Sequence, residues 1–314
     1  MQHKDINMAD IAKLGSTDKE EPKSSNVDNS IKATSENVIS GLTDEEIKDP
    51  RKIVVTIADR RTPIVVFFGA QSSGKTMVLL RMIRFLESRG YTVEPVRTFR
   101  EAADGGHYER MCDEIRDMAY RDVTPHGTDV ISFMLLKVID PNGRPVCQLL
   151  EAPGEHYYNP SEQRGVCTFL PYINQIIDSP NRKTWVFFVE HEWQNREQRE
   201  RYAAKICAMQ DRISSADRVT FLFNKVDAHR HQRALFDGND KPNLAAFYNS
   251  ISNDYDGIFT RYINRGWLTR LIYGRFRFNM VCFSSGQFTP LSDGTSTWVP
   301  GRDSYCIKLM RAIL

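Results

Sequence analysis

Three consecutive pieces near residue 63 constrain this chain more than anything else in it. Pro63–Phe68 (PIVVFF) leads into Gly69-Ala70-Gln71-Ser72-Ser73-Gly74-Lys75-Thr76. Met77–Ser88 follows, with Val78, Leu79, Met82, Ile83 and Leu86 at helical spacing. The first piece predicts a buried strand and the last a helix with one apolar face. A glycine-rich turn between strand and helix is a phosphate cradle. Gly69 and Gly74 permit backbone angles that other residues resist, so successive N–H groups can converge on phosphate oxygens. The helix N-terminus adds its partial positive charge. In this arrangement Lys75 reaches the β- and γ-phosphates, and Thr76 offers its hydroxyl to Mg²⁺.

A second pattern selects the base. Asp217–Phe223 (DRVTFLF) predicts another buried strand, ending at Asn224-Lys225-Val226-Asp227. A carboxylate at this place accepts hydrogen bonds from the guanine ring N–H and exocyclic amino group. Adenine offers neither donor there, so Asp227 would be left unpaired in a partly desolvated pocket, a penalty on the order of 10⁴-fold. Asn224 is expected to address the guanine ring and tie its loop to the phosphate loop. The aliphatic stem of Lys225 covers one face of the base.

Between the two motifs, Asp129–Asp140 and Pro145–Leu150 predict strands joined by the tight turn Asp140-Pro-Asn-Gly-Arg144. The hairpin makes the second and third strands antiparallel. With these motifs the chain resembles P-loop GTPases of the Ras-like and translation-factor (TRAFAC) class, over about residues 52–314. Its layout also resembles bacterial GTPase-like proteins of uncertain role. The resemblance implies a P-loop NTPase three-layer α/β sandwich, mostly parallel with one antiparallel strand. It also implies GTP or GDP as ligand, Mg²⁺ as cofactor, and a protein effector or activating partner.

The resemblance carries further residues by position. Glu151 stands where the family has the aspartate that holds Mg²⁺ through water, and Gly154 where a backbone amide senses the γ-phosphate. Glu155 occupies the place of the residue that positions the attacking water, with His156 as a competing candidate. A carboxylate beside the γ-phosphate also repels it. A threonine that closes over Mg²⁺ is expected at Thr128, with Thr124 as the alternative. Arg121, three residues before Thr124, resembles the arginine that stabilises the transition state in cis in heterotrimeric G-protein α subunits. Ser285 and Gly286 stand where the family has its base-contacting loop.

Composition bounds the rest. Residues 1–50 hold no Phe, Trp or Tyr and carry a net charge of −5, against +7 for the remainder. Such a leader buries too little apolar surface to offset its ordering entropy, so it is expected to be mostly disordered, with a short helix near Asp44–Ile47 after Thr43-x-x-Glu46. The G domain is expected over 51–314, with helical insertions near 100–122 and 228–275. The six cysteines lack metal-ligand spacing and read as reduced core thiols. No long apolar run or lipidation signal occurs, so the chain reads as cytoplasmic and without membrane insertion. Aromatics interleaved with arginines (Tyr255, Phe259, Arg261, Tyr262, Arg265, Trp267, Arg270, Tyr273) admit single-strand nucleic-acid stacking, but an enlarged helical layer is favoured. Two functions stay open: a GTP-hydrolysing switch, and a GTP-binding scaffold with little or no hydrolysis.

Overall fold

The computed structural model describes residues 41–100, 106–121, 123–124, 133–161, 167–190, 193, 195–264, 266–267, 271, 277–292 and 296–314. At its centre lies β1 (Ile64–Phe68), five β-branched or aromatic residues that are all buried. Continuous burial of this kind belongs to a strand covered on both faces. β1 pairs in parallel with β5 (Pro145–Glu151) on one side and β6 (Lys183–Glu190) on the other. β7 (Arg218–Asn224) and β8 (Asn279–Cys282) extend the parallel sheet. Beyond β5, β4 (Met134–Ile139) runs antiparallel, and β2 (Thr92–Pro95) closes that edge. The order is therefore β2-β4-β5-β1-β6-β7-β8, with β4 alone reversed among seven strands. This is the α/β sandwich with one antiparallel strand that the motifs imply.

The β4–β5 reversal follows from its turn. Asp140 Oδ1 accepts from the amides of Asn142 and Arg144, both at 2.9 Å, and Gly143 takes φ +78°. β2 was not foreseen. Its four residues, Thr-Val-Glu-Pro, bury Val93 fully and leave Thr92 and Glu94 exposed, so its apolar signal is a single residue.

The helices α2 (Lys75–Ser88), α3 (His107–Tyr120), α5 (Pro171–Asp178), α6 (Arg196–Met209), α7 (Leu244–Asp254) and α8 (Asp303–Ile313) flank the sheet. Between α3 and α5 lies the single-turn α4 (Gly154–Tyr157). α3 falls in the insertion expected near 100–122. The 228–275 insertion contains α7 and short 3₁₀ turns. There Tyr255, Phe259 and Tyr262 are buried in the core, Phe259 stacking edge-on against Phe221. Arg261 pairs outward with Asp211. These three rings are packing residues, whereas Trp267 is exposed.

A second, three-stranded sheet was also unforeseen. β9 (Gly286–Pro290) and β10 (Ser296–Pro300) form an antiparallel hairpin, and β10 also pairs with β3 (Val123–Thr124). Its exposed face leaves little hydrophobic pattern in the sequence.

At the N-terminal side, α1 (Asp44–Lys48) carries a complete capping box. The Glu46 amide donates to Thr43 Oγ1 at 3.3 Å, and the Thr43 amide donates to Glu46 Oε2 at 3.0 Å. Leu42, Ile53, Val55 and Ile57 are buried, so packing onto the body begins before residue 51. The Glu46 carboxylate also accepts from Arg100, whose guanidinium holds the Val54 carbonyl at 2.7 Å. Residues 1–40 lie outside the described residues. Among the described residues no helix is long and apolar enough to cross a membrane.

Candidate nucleotide site at the carboxyl ends of the strands

Parallel register brings five strand ends level. Phe68 pairs with Phe187, Val66 with Leu150, Glu190 with Asn224, and Phe223 with Cys282. The residues just beyond these ends therefore share one rim, where open α/β sheets bind ligands.

The loop after β1 turns into α2 through two left-handed residues, Ser72 (φ +61°) and Gly74 (φ +84°). Gly74 is required on steric grounds as well, because an added Cβ would stand 2.6 Å from Asn224 Nδ2. At Gly69 a Cβ would stand 2.5 Å from Ser73 Oγ and 2.8 Å from Phe188 Cβ. Ala70, Gln71, Ser72 and Ser73 complete the turn, with Gln71 and Ser72 exposed and Ser73 buried. Lys75 is buried, and its Nζ donates to the carbonyls of Gly69 (3.2 Å) and Ala70 (3.1 Å). Burial pulls its ammonium below the ordinary lysine range, while Glu151, Glu155 and Glu190 act in the opposite direction. A buried cation held by two neutral carbonyls would gain from a charged oxygen partner, which bonds more strongly.

β5 delivers Glu151, 2% exposed, whose Oε1 accepts from Thr76 Oγ1 at 3.0 Å. A hydroxyl and a carboxylate in contact are hard oxygen donors. They fit Mg²⁺, which binds through one or two protein oxygens together with waters and substrate phosphates. Among the described residues no group of three or more His, Cys, Asp or Glu could by itself hold a metal ion.

Gly154 opens α4 directly against the phosphate loop. A Cβ there would lie 2.2 Å from the Gln71 nitrogen and 2.4 Å from the Ala70 carbonyl carbon. Glu155 is exposed. His156 is buried, with Nδ1 2.7 Å from the Tyr172 hydroxyl. Burial, with a smaller push from Lys75, lowers its pKa to about 4, so the ring is neutral near pH 7. Tyr157 packs on Phe68 with ring centroids 4.9 Å apart, fixing α4 to the end of β1.

The other end of the rim is built by β7 and β8. Asn224 is buried, and its Nδ2 donates to the Ser73 carbonyl at 2.8 Å, linking the two loops across 151 positions of sequence. Lys225 takes a left-handed conformation (φ +57°). Its Nζ donates to Ser72 O and to Glu190 Oε2, each at 2.8 Å. Asp227 is half-buried in the 3₁₀ turn that follows. The Val226 amide donates to Phe283 O at 3.2 Å, drawing Ser284, Ser285 and Gly286 alongside. The hairpin sets that last loop: Trp298 Nε1 donates to Ser285 O at 3.1 Å, and the Gly301 amide does so at 2.9 Å. Gly286 has φ +136°, and a Cβ would stand 2.1 Å from Val299 O, so no other residue fits. Arg81 on α2 clamps the hairpin's exit, holding Gly301 O at 2.7 Å and Asp303 at 2.6 Å.

Of the remaining expected residues, Arg121 is engaged by its own helix. Arg121 caps α3 and pairs with Glu114 (2.9 Å) and Asp117 (3.6 Å) of the same helix. Thr128 lies outside the described residues, and Thr124 is described only as a member of β3. Sequence reasoning missed three contributors: Glu190, Tyr172 and the hairpin behind Ser285. The first had a readable signal, a carboxylate closing an otherwise apolar strand (KTWVFFVE) beside the base loop.

No family model matches the chain, and no curated protein resembles it closely in sequence. Among solved structures it is similar to the S. cerevisiae Ski7 GTPase-like domain bound to GTP, with 14% identity and a TM-score of 0.36. That likeness covers 71% of this chain, which spans only 42% of the Ski7 structure's length. It is also similar to the signal recognition particle receptor SRb-GTP/SRX complex from Chaetomium thermophilum, with 12% identity, a TM-score of 0.36, and coverage of 71% of this chain and 90% of that one. At such identities and scores the residues of the site, and not these neighbours, carry the functional reading.

Proposed function

We propose that this chain binds GTP and GDP with Mg²⁺ at the rim of its sheet and hydrolyses GTP as a molecular switch. The observation that supports this most is the 2.8 Å bond from Asn224 to Ser73, which fuses a base-reading loop to a phosphate loop. In this reading the loop amides and Lys75 hold the β- and γ-phosphates, and Asp227 accepts from the guanine N–H groups. Thr76 and Glu151 hold the metal, which when bound neutralises phosphate charge. Ser285 and Gly286 border the base. The Gly154 amide, at the start of α4 against the phosphate loop, would sense the γ-phosphate. Glu155 is the group left to orient water, since His156 is committed to Tyr172. Segments near Thr128 and Gly154 respond to the nucleotide and present it to a protein partner.

One observation favours a second reading, a GTP-binding scaffold with little turnover. With His156 neutral and turned to Tyr172, the water would depend on a carboxylate that also repels the γ-phosphate. Phosphate release from GTP by wild type and Glu155→Gln separates the two. Turnover that falls about 10²- to 10⁴-fold in Glu155→Gln, with GTP affinity retained, supports the enzyme. Tight GTP binding with no release by wild type supports the scaffold.

A further inference from the structure

We infer that Glu190 is a positioning residue of the nucleotide site. It holds Lys225 in the pose in which that side chain joins the base loop to the phosphate loop. The inference rests on the guanine-nucleotide reading above and adds a residue to it.

Glu190 ends β6 and pairs across the parallel ladder with Asn224, so its side chain reaches the loop just after β7. Its backbone carbonyl accepts from the Tyr255 hydroxyl at 2.6 Å, fixing the strand end from the 228–275 layer. Tyr255 is itself wholly buried, which makes that anchor rigid. The Glu190 carboxylate then meets the Lys225 ammonium at 2.8 Å, with the two side chains 24% and 43% exposed.

Lys225 needs such a guide. It has four rotatable side-chain bonds and a left-handed backbone, and nothing in its own sequence selects one pose. Its Nζ makes two observed contacts, one to Glu190 Oε2 and one to Ser72 O. Ser72 is the phosphate-loop residue held at φ +61° without being glycine, a conformation that needs outside support. Between its two anchors the lysine stem spans the gap between the loops, where it would lie along one face of a bound base. The chain of support is thus Tyr255, Glu190, Lys225, Ser72. Glu190 touches no nucleotide in this arrangement; its direct contact with the site is Lys225, while its longer-range pull on Lys75 is shared with Glu151 and Glu155.

A carboxylate also sets the sign of the effect. Replacing it by an amide keeps size and one acceptor but removes the charge that fixes the ammonium. A loosened Lys225 lowers affinity for GDP and GTP alike, because neither of its contacts involves the γ-phosphate.

The test measures dissociation rates of fluorescent GDP and a non-hydrolysable GTP analogue, with Mg²⁺, for wild type, Glu190→Gln, Lys225→Met and the double variant. Glu190→Gln is expected to speed release of both nucleotides about tenfold. The double variant should release about as fast as Lys225→Met alone, because the ion pair with Lys225 is the direct route from Glu190 to the ligand and its pull on Lys75 is smaller than those of Glu151 and Glu155. Thermal melting of the nucleotide-free Glu190→Gln protein should stay close to wild type, since the pair is partly exposed. A Glu190→Gln release rate equal to wild type would overturn the inference while leaving guanine binding standing. So would full additivity with Lys225→Met, which would mean a general packing role. Failure of wild type to bind either guanine nucleotide would overturn the site reading and this inference with it.

Discussion

Placing one methyl group on Gly154 tests how tightly α4 is pressed against the phosphate loop. The nearest atoms to a Cβ there are the Gln71 nitrogen at 2.2 Å and the Ala70 carbonyl carbon at 2.4 Å, whereas ordinary contact begins at 3.4 Å. Both neighbours are backbone and cannot swing aside. Tyr157 on Phe68 also holds α4 from behind. In Gly154→Ala the helix must therefore retreat by roughly an ångström or the loop must distort, at about 1–3 kcal/mol. If the folded state absorbs that strain, the melting temperature falls by about 2–12 °C in a domain of this size. If α4 retreats instead, the cost appears when a γ-phosphate calls for closure, and GTP affinity falls about 5- to 150-fold relative to GDP. GDP affinity itself should stay within about threefold, since Lys75, Asn224 and Asp227 keep their partners. Differential scanning fluorimetry and competition binding with both nucleotides read these quantities. A variant with wild-type melting and a wild-type GTP-to-GDP ratio would refute the close packing argued for Gly154.

Two further outcomes are expected. His156 is lowered to about 4 in the folded protein against an ordinary value of 6.5, so the unfolded chain takes up the proton first as pH falls. The stability tied to its neutrality is complete above pH 6.5 and is lost towards pH 4, about 3 kcal/mol in all. Denaturant midpoints followed across that window should drop in wild type and drop less in His156→Gln; parallel profiles would refute the assignment. Asp227→Asn replaces two acceptor oxygens by an amide that can donate to the carbonyl at the 2-position of xanthine. GTP affinity should fall at least about 100-fold and XTP affinity should rise. Unchanged GTP affinity would remove Asp227 from the site.

The parts of this protein legible in the sequence are those where one local rule suffices. PIVVFF followed by a glycine turn and a helical apolar period admits a single local structure, and β1, its loop and α2 follow it. The Asp140–Arg144 turn specified the β4–β5 reversal, because Asp140 satisfies the turn amides itself. Thr43-x-x-Glu46 specified α1 through its capping box, although the polar composition around it pointed to disorder. What escaped reading depends on long-range contacts. β2 and the β9–β10 hairpin are short, half-exposed strands, stabilised by neighbours distant in sequence. Glu190 and Tyr172 acquire meaning only through Lys225 and His156, 35 and 16 positions away. A histidine after a glutamate reads as a water-positioning candidate until its partner is seen. The spacing of Arg121 from Thr124 says nothing of the two carboxylates on its own helix that engage it.

The guanine assignment at Asn224–Asp227 is the central claim, and equilibrium competition between GTP and ATP for the wild-type protein in buffer containing Mg²⁺ tests it most directly. GTP is expected to win by about 10⁴-fold or more, because adenine would leave the Asp227 carboxylate without a donor. Comparable affinities for the two nucleotides would contradict it.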